Sequence, residues 1–411
     1  MKCVKLTALI TLMFCCLVPV AAEDSETKNH KNLAEALKDG SFSIGLTWRL
    51  EDVSDDAAPM DAFASKLRTA ARYNSGQFRW FSVKVEFEDV TDLGARLKHD
   101  NGGAGSLSNG VVGRPKIVDP EVTEVQQASL SYHGLHDTTV TVGRQEFGLG
   151  NQRFIGPVGW RMNHQSYDGV RIDQSSIPRT DLTYVYLDRA NAITGAGRGM
   201  GSHLLQVKID TDDWGTVSPY WFDVDFDDMA SAGQSTSTFG ASWDGAIRTG
   251  EWKLPFRVEL AQQQESGDNP ASVDAGYRHL MIGAKRENWS IAIGQEVLEG
   301  NAVDGAFTTP LATLHAFNGW ADKFLGTPGN GLEDLYLSVG YTLDALTTKL
   351  IFHDFSAESA GPDHGSEIDG VVSYKSSWGQ VFAVKFALFS ADNASPLTDA
   401  DKLWFFTSYR F

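Results

Sequence analysis

The sequence is poor in sulfur. Its three cysteines, Cys3, Cys15 and Cys16, all stand at the extreme N-terminus. From Leu17 onward no thiol remains, which excludes a disulfide framework, thiolate metal ligands and a cysteine nucleophile there. After Val18 no apolar run approaches the roughly 20 residues that a membrane-crossing helix requires. The chain is therefore soluble or crosses a membrane as strands. Positive charge is also short, with 35 Lys and Arg against 53 Asp and Glu and a formal charge of −18. That balance argues against a nucleic-acid partner. No cofactor or metal signature emerges. His133, His136 and His164 lack zinc-ligand spacing, and the acidic run Asp223, Asp225, Asp227 and Asp228 lacks the EF-hand glycine and glutamate, so it reads as a solvated loop. The glycine-rich stretch 195–201 follows no buried parallel strand and makes a poor phosphate cradle. No catalytic triad is nominated by spacing.

What is present begins with residues 1–22, which carry the pattern of a signal peptide. Lys2 and Lys5 form a basic start, Leu6 to Val18 is an apolar run, and Val20-Ala21-Ala22 offers a cleavage point before Glu23. Loss of Lys2 and Lys5 takes the 35 basic residues to 33 and the charge from −18 to −20. At the other end, Leu403, Phe405, Thr407, Tyr409 and Phe411 share one parity and the chain stops on a ring. An apolar face at an open sheet edge in water invites aggregation, but it suits a closed barrel in lipid. The ending resembles the C-terminal signal of bacterial outer-membrane β-barrels, which implies recognition by the barrel-assembly machinery.

Between these ends the chain alternates. Residues 23–40 are polar and hold one short helix, Asn32 to Lys38, as a periplasmic extension or a small plug. From Ser41 the period is two: Phe42, Ile44, Leu46, Trp48 and Leu50 oppose Ser43, Gly45, Thr47, Arg49 and Glu51, and Phe81, Val83, Val85 and Phe87 oppose Ser82, Lys84, Glu86 and Glu88. About eighteen such segments fit 41–411, each long enough for the roughly 9–11 residues of a tilted transmembrane strand. They run from 41–53, 65–74 and 78–90 to 378–391 and 401–411. Short connections such as 75–77, 211–213 and 286–287 alternate with long ones such as 91–121, 147–165 and 299–330. This asymmetry predicts an all-β fold, a single antiparallel transmembrane barrel with periplasmic turns, outer loops and loops folded into the lumen. Trp48, Trp80, Tyr132, Tyr184, Trp214, Trp252, Trp289, Tyr341, Trp378 and Trp404 fall near strand ends, where amphipathic rings meet the lipid–water boundary.

The densest stretch is 143–173, with Gly143-Arg144-Gln145, Gly150-Asn151-Gln152-Arg153, Ile155-Gly156, Trp160-Arg161 and Tyr167-Asp168-Gly169-Val170-Arg171-Ile172. A loop this rich in arginine, amide and glycine suits a water-filled lumen. The pattern resembles the alginate-export family of outer-membrane porins. A second stretch, Leu314 to Phe324, then Thr327-Pro328 and Gly331-Leu332-Glu333-Asp334, carries the same likeness. The resemblance implies a monomeric barrel of about eighteen strands whose arginine-rich constriction passes an anionic polysaccharide. It points to Arg144, Gln145, Arg153, Trp160, Tyr167, Asp168 and Arg171. Parity separately places Arg49, Arg68, Arg72, Lys84, Arg171, Lys208, Arg257, Lys349 and Lys385 inward. Arg144 is the exception, since it shares parity with Val140 and Val142. Either a bulge lies near Gly143 or Arg144 stands beyond the membrane.

The expected function is a passive channel in the bacterial outer membrane for anionic or polar carbohydrate-like solutes, with export of a polymer such as alginate as one form of it. Its pore lining is expected to include Arg68, Arg72, Lys84, Arg144, Gln145, Arg153, Arg161, Tyr167, Asp168, Arg171 and Arg257, where guanidinium groups offer paired contacts to carboxylates. Its surroundings would be outer-membrane lipid and lipopolysaccharide. Two other classes are an outer-membrane lipase or protease, which needs a nucleophile beside one of the histidines, and a secreted adhesive β protein.

Overall fold

A computed structural model describes residues 28–301 and 303–411. Residues 1–22, the proposed signal peptide, lie outside the described residues. Among the latter, eighteen strands form one closed antiparallel barrel. They are β1 (Ser41–Asp55), β2 (Ala62–Asn74), β3 (Phe81–Asp92), β4 (Val122–Leu135), β5 (Thr138–Gln145), β6 (Ser166–Ile177), β7 (Thr180–Asn191), β8 (Gly197–Asp210) and β9 (Thr216–Val224). The second half continues with β10 (Thr236–Thr249), β11 (Trp252–Glu265), β12 (Asp274–Arg286), β13 (Trp289–Leu298), β14 (Leu332–Leu343), β15 (Leu346–Ser356), β16 (Gly365–Lys375), β17 (Val381–Ala391) and β18 (Ala400–Arg410). Each pairs with its sequence neighbours, and β18 closes on β1 with Gly45 opposite Arg410 and Asp55 opposite Ala400. The ladder extends one residue further, since Phe411 and Ile44 exchange both backbone hydrogen bonds. Among the described residues, closure leaves the barrel wall no open edge to pair with another chain.

Alternation sets the two faces. In β12, Leu280 and Ile282 are exposed while His279 and Met281 are buried. Their cross-strand partners on β13 follow the same order, with Ile293 opposite Ile282 and Gly294 opposite Met281. Such an apolar outer face is stable only against hydrocarbon. Trp80, Trp214, Trp252, Trp289 and Trp378 are exposed and cluster at the short-turn end, as one aromatic girdle. Trp404 departs from that expectation. Leu403 and Phe405 take the lipid parity, so Trp404 turns inward with Lys402 and Phe406 and is fully buried.

The lumen also differs from the expected wet interior. At the long-loop end, inward Leu187, Leu204, Phe222, Tyr277, Phe355 and Phe389 are buried, and they form one apolar cluster with loop residues Phe147, Phe154, Ile155, Phe307, Leu311 and Phe324. The segments 93–121, 146–165 and 299–331 fold into the barrel mouth, as expected of loops folded into the lumen, but what they bring there is largely apolar. Period-two patterning reports which face a side chain takes, but not whether a loop returns to cover it.

The helix α1 (Leu33–Lys38) forms where expected. Asn32 caps it by accepting a hydrogen bond from the Ala34 N–H at 2.9 Å, and Glu35 and Lys38 sit at the dipole-favoured ends.

Candidate functional site

The inserted loops are held first by backbone. Gly156 N–H donates to Leu311 O at 2.9 Å and Thr313 N–H to Gln152 O at 3.0 Å, so loops 146–165 and 299–331 run side by side. Tyr167, inward on β6, supports them by donating its hydroxyl to Gly156 O at 2.8 Å. The Gln165 amide reaches the same carbonyl at 3.0 Å. Phe154 packs on Tyr220, Tyr277 and Phe307 with ring centroids 5.3–5.8 Å apart.

Charge then locks them to the wall. Arg153 is buried and fully engaged: Nε donates to Glu296 Oε1 at 2.7 Å, Nη1 to Thr309 Oγ1 at 3.2 Å and Nη2 to Asn318 Oδ1 at 2.9 Å, with its guanidinium over Phe317. Arg161 donates to Glu51 Oε2 at 3.4 Å and Asp322 Oδ2 at 3.0 Å. Asp322 also receives Lys402 Nζ at 2.8 Å and His315 Nδ1 at 2.7 Å. Asp119, from the third loop, binds Arg49 and accepts the Met162 N–H at 2.7 Å. One network thus ties all three loops to β1 and β18. Burial opposes the charge on Arg161, but Glu51, Asp322 and Asp119 outweigh it and hold its pKa above the ordinary value. Burial likewise opposes ionisation of Asp322, yet His315, Lys402 and Arg161 hold its carboxyl well below the usual range.

Beside this network Lys385 stands in a cage of tryptophans, with Nζ 3.6 Å from the ring centre of Trp320, 4.1 Å from Trp160 and 5.3 Å from Trp404. His315 stacks on Trp160 at 4.5 Å. Its Nε2 lies 2.6 Å from Lys385 Nζ. An ammonium only donates, so Nε2 accepts and the imidazole is neutral, with its proton on Nδ1 toward Asp322. Burial, together with Lys385 and Arg161, depresses the His315 pKa well below its ordinary value, in agreement with that tautomer.

Toward the turn end the lumen opens into two cavities. The larger, about 350 Å³, has Lys285, Lys349, Ser290 and Thr347 on its turn side and Phe317, Trp320, Tyr336 and His353 on its loop side. The smaller, about 200 Å³, is polar and lined by Lys84, Gln145, Arg171, Asp173, Ser129 and Glu146.

The residues expected to line the pore divide into distinct positions. Lys84, Gln145 and Arg171 meet in the smaller cavity. Arg68 and Arg72 face the lumen beside it, bonded to Glu88 at 2.6 Å and Glu86 at 2.7 Å. Arg171 is held by Asp173 at 2.8 Å. Arg257 lies on the larger cavity's side of the wall, bound to Glu259 at 2.6 Å and Asp244 at 2.5 Å. Arg153, Arg161 and Tyr167 are buried anchors of the loops rather than open pore lining. Arg144 and Asp168 do not face the lumen. Arg144 stands opposite Ala128 and next to Val142, which opposes exposed Leu130, with no register shift at Gly143. It keeps the outer parity at the long-loop end of β5 and forms a two-pronged pair with Asp168 at 2.7 and 3.0 Å. Pairing neutralises both groups where the apolar band ends. Parity places Lys402 inward but marks neither it nor the loop residues Asp119 and Asp322 as anchors. The signal available for Asp322 was its place within the 314–324 stretch.

Glu146 and His164 join the smaller cavity to the loop, with Oε1 and Nδ1 3.1 Å apart. Burial opposes ionisation of Glu146, but His164, Arg68 and Arg72 prevail and its pKa falls to about 2. A carboxyl depressed on folding stabilises the folded loop above its unfolded value and loses that contribution as pH falls through the folded value. The Glu146 contribution to loop closure is therefore expected to be complete above about pH 4.5 and to be lost from there toward about 2. Glu146→Gln should remove that part of the pH dependence in single-channel records.

His133 lies beside a serine hydroxyl. Its Nε2 is 2.9 Å from Ser82 Oγ, but Nδ1 meets Thr139 Oγ1 at 3.2 Å. A hydroxyl there supplies no counter-charge for the imidazolium that a serine nucleophile would generate.

A closed wall of eighteen strands, apolar outside and charged within, with loops turned into its mouth, defines a porin of the bacterial outer membrane. The sequence profile for alginate export matches residues 41–276, and the chain belongs to the alginate-export family. Solved structures share the fold. The chain is similar to Pseudomonas aeruginosa OpdK crystallised with vanillate (TM-score 0.72, 11% identity, 91% of this chain and 99% of that one). It is also similar to Pseudomonas aeruginosa OccK2 (OpdF) in complex with glucuronate (TM-score 0.71, 12% identity, 91% and 98%) and to Acinetobacter baumannii OccAB2 (TM-score 0.69, 14% identity, 92% and 99%). No curated protein sequence matches the chain.

Proposed function

We propose that this outer-membrane channel passes small anionic solutes, chiefly single carboxylates on an apolar or hydroxylated body. The observation that carries this reading is the arrangement of the two cavities below the loop-filled mouth. Each combines lysine or arginine with hydroxyl groups, and the larger adds aromatic side chains. A cationic group attracts a carboxylate strongly in a narrow, low-dielectric passage, and nearby acids such as Asp173 and Glu146 keep it from binding too tightly to leave. The larger cavity is of a size that accommodates one small organic molecule. Vanillate and glucuronate, present in two solved structures of this fold, are both small carboxylates. Passage of a polysaccharide would require the apolar core of Phe154, Phe307 and Phe324 to leave the mouth, so export of a polymer is the less economical reading.

The test is current block. Benzoate and glucuronate are expected to interrupt the open-channel current, while a neutral sugar of similar size is not. Lys285→Gln with Lys349→Gln should shorten the residence of the carboxylates by about tenfold, the effect of losing roughly 1.4 kcal/mol. Equal block by neutral sugar and carboxylate would refute the proposal.

A further inference from the structure

Residues 28–40 lie on the outside of the wall. Tyr73 donates its hydroxyl to Leu37 O at 2.6 Å, and Tyr73 stands opposite exposed Phe42 on the lipid-parity face of β1 and β2. Gly76 N–H donates to Ala36 O at 2.9 Å, and Trp80 N–H to Asn29 Oδ1 at 2.9 Å. Asn29 and His30 add a short parallel strand to Gln77 and Phe78 at the same turn. His30 Nε2 lies 2.7 Å from Asp39 Oδ2, which ties that strand to the end of α1. A plug would be bonded to inward side chains, whereas these partners belong to the outer wall and the turn.

This placement leaves two leucines without cover. Leu33 and Leu37, one helical turn apart, are 53% and 48% exposed, while Ala36 between them is buried. They flank the contact with the wall at the level of the tryptophan girdle, where Trp80 and Phe42 are exposed too. Lys31 and Lys38 lie beside them and are exposed. We infer that residues 28–40 form an interfacial anchor: Leu33 and Leu37 enter the acyl boundary of the periplasmic leaflet, and Lys31 and Lys38 meet the phosphates of its phospholipids. Two observations select lipid as the occupant. The exposed leucines stand beside Tyr73 on the lipid-parity face of the wall, and basic flanks complement an anionic headgroup layer. An anchor at this point also holds the β2–β3 turn at a fixed depth.

Because residues 28–411 contain no cysteine, single labels are readily placed. Spin labels at Leu37→Cys, Glu35→Cys and the wall position Leu337→Cys are compared in phosphatidylcholine–phosphatidylglycerol vesicles, using oxygen and a water-soluble nickel chelate as relaxing agents. The anchor predicts that position 37 resembles position 337, with oxygen dominating, whereas position 35 favours the chelate. If position 37 is as open to the chelate as position 35 while 337 remains in lipid, the inference fails although the barrel stands. If 337 is also open to the chelate, the membrane placement itself fails. Leu33→Cys, read in the same way, keeps the test decisive should a label at 37 disturb the helix. A conductance change on labelling position 37 would place the helix at the pore and overturn the anchor.

Discussion

Replacing Asp322 with alanine is expected to open the channel. This carboxylate receives Arg161, Lys402 and His315, and it is the point where loop 299–331 meets both loop 146–165 and strand β18. Removing one partner of a buried ion network costs about 3–5 kcal/mol, because the cations left behind are neither hydrated nor paired. Lys402 and Lys385 would then share a buried site with one acid fewer. About 3 kcal/mol moves a two-state equilibrium by roughly two decades, so the open state of the mouth should gain about a hundredfold over the closed one. Single-channel recording is expected to show larger conductance and faster gating for Asp322→Ala. Asp322→Asn, which keeps a hydrogen-bond acceptor but not the charge, should fall between the two. Conductance indistinguishable from that of the parent would show that the loops are held chiefly by the apolar core.

The second large effect is expected at Arg153. Its guanidinium satisfies Glu296, Thr309 and Asn318 at once, and so joins β13 to both long loops. Burial opposes its charge, but Glu296 and Tyr277 hold its pKa above the ordinary value. Arg153→Met preserves much of the packing over Phe317 but leaves Glu296 buried beside fewer donors. The cost is again about 3–5 kcal/mol. Loop 146–165 should then be cut by protease in intact vesicles at a rate well above that of the parent, while the barrel keeps its resistance to detergent and heat. Arg153→Lys should rescue little, since one ammonium does not reproduce a fork of three bonds. Cleavage unchanged by Arg153→Met would remove this arginine from the set of anchors.

The barrel was legible in the chain because hydrocarbon and water impose opposite demands on alternate residues. Phe81, Val83 and Phe87 announce lipid as plainly as Lys84, Glu86 and Glu88 announce the lumen. Strand ends at Ser41, Val122, Thr180 and Leu298 follow from the turn residues beyond them. The same rule kept Arg144 on the outer parity; the resemblance of its neighbourhood to a pore motif pointed the other way, and the local register prevailed. Trp404 shows the converse. Aromatic identity and position near the chain end suggested the membrane boundary, whereas its parity with Lys402 turned it into the lumen. The inserted core was hidden for a different reason. On β9 and β15, Phe222 and Phe355 are apolar on the inward face, and no local pattern states that Phe154 and Phe324 return from distant loops to cover them. Arg153 and Arg161 stand out in the chain as cations suited to an anion, but their carboxylates, Glu296 and Asp322, lie more than a hundred residues away and meet them only after the loops fold inward.

Reversal potential under an asymmetric potassium chloride gradient tests the central claim most directly. With lysine and arginine facing both cavities, the purified channel is expected to prefer chloride to potassium, and Lys84→Gln with Arg171→Gln is expected to reduce that preference. A parent channel that favours potassium, or a purified barrel that carries no current, would contradict the account.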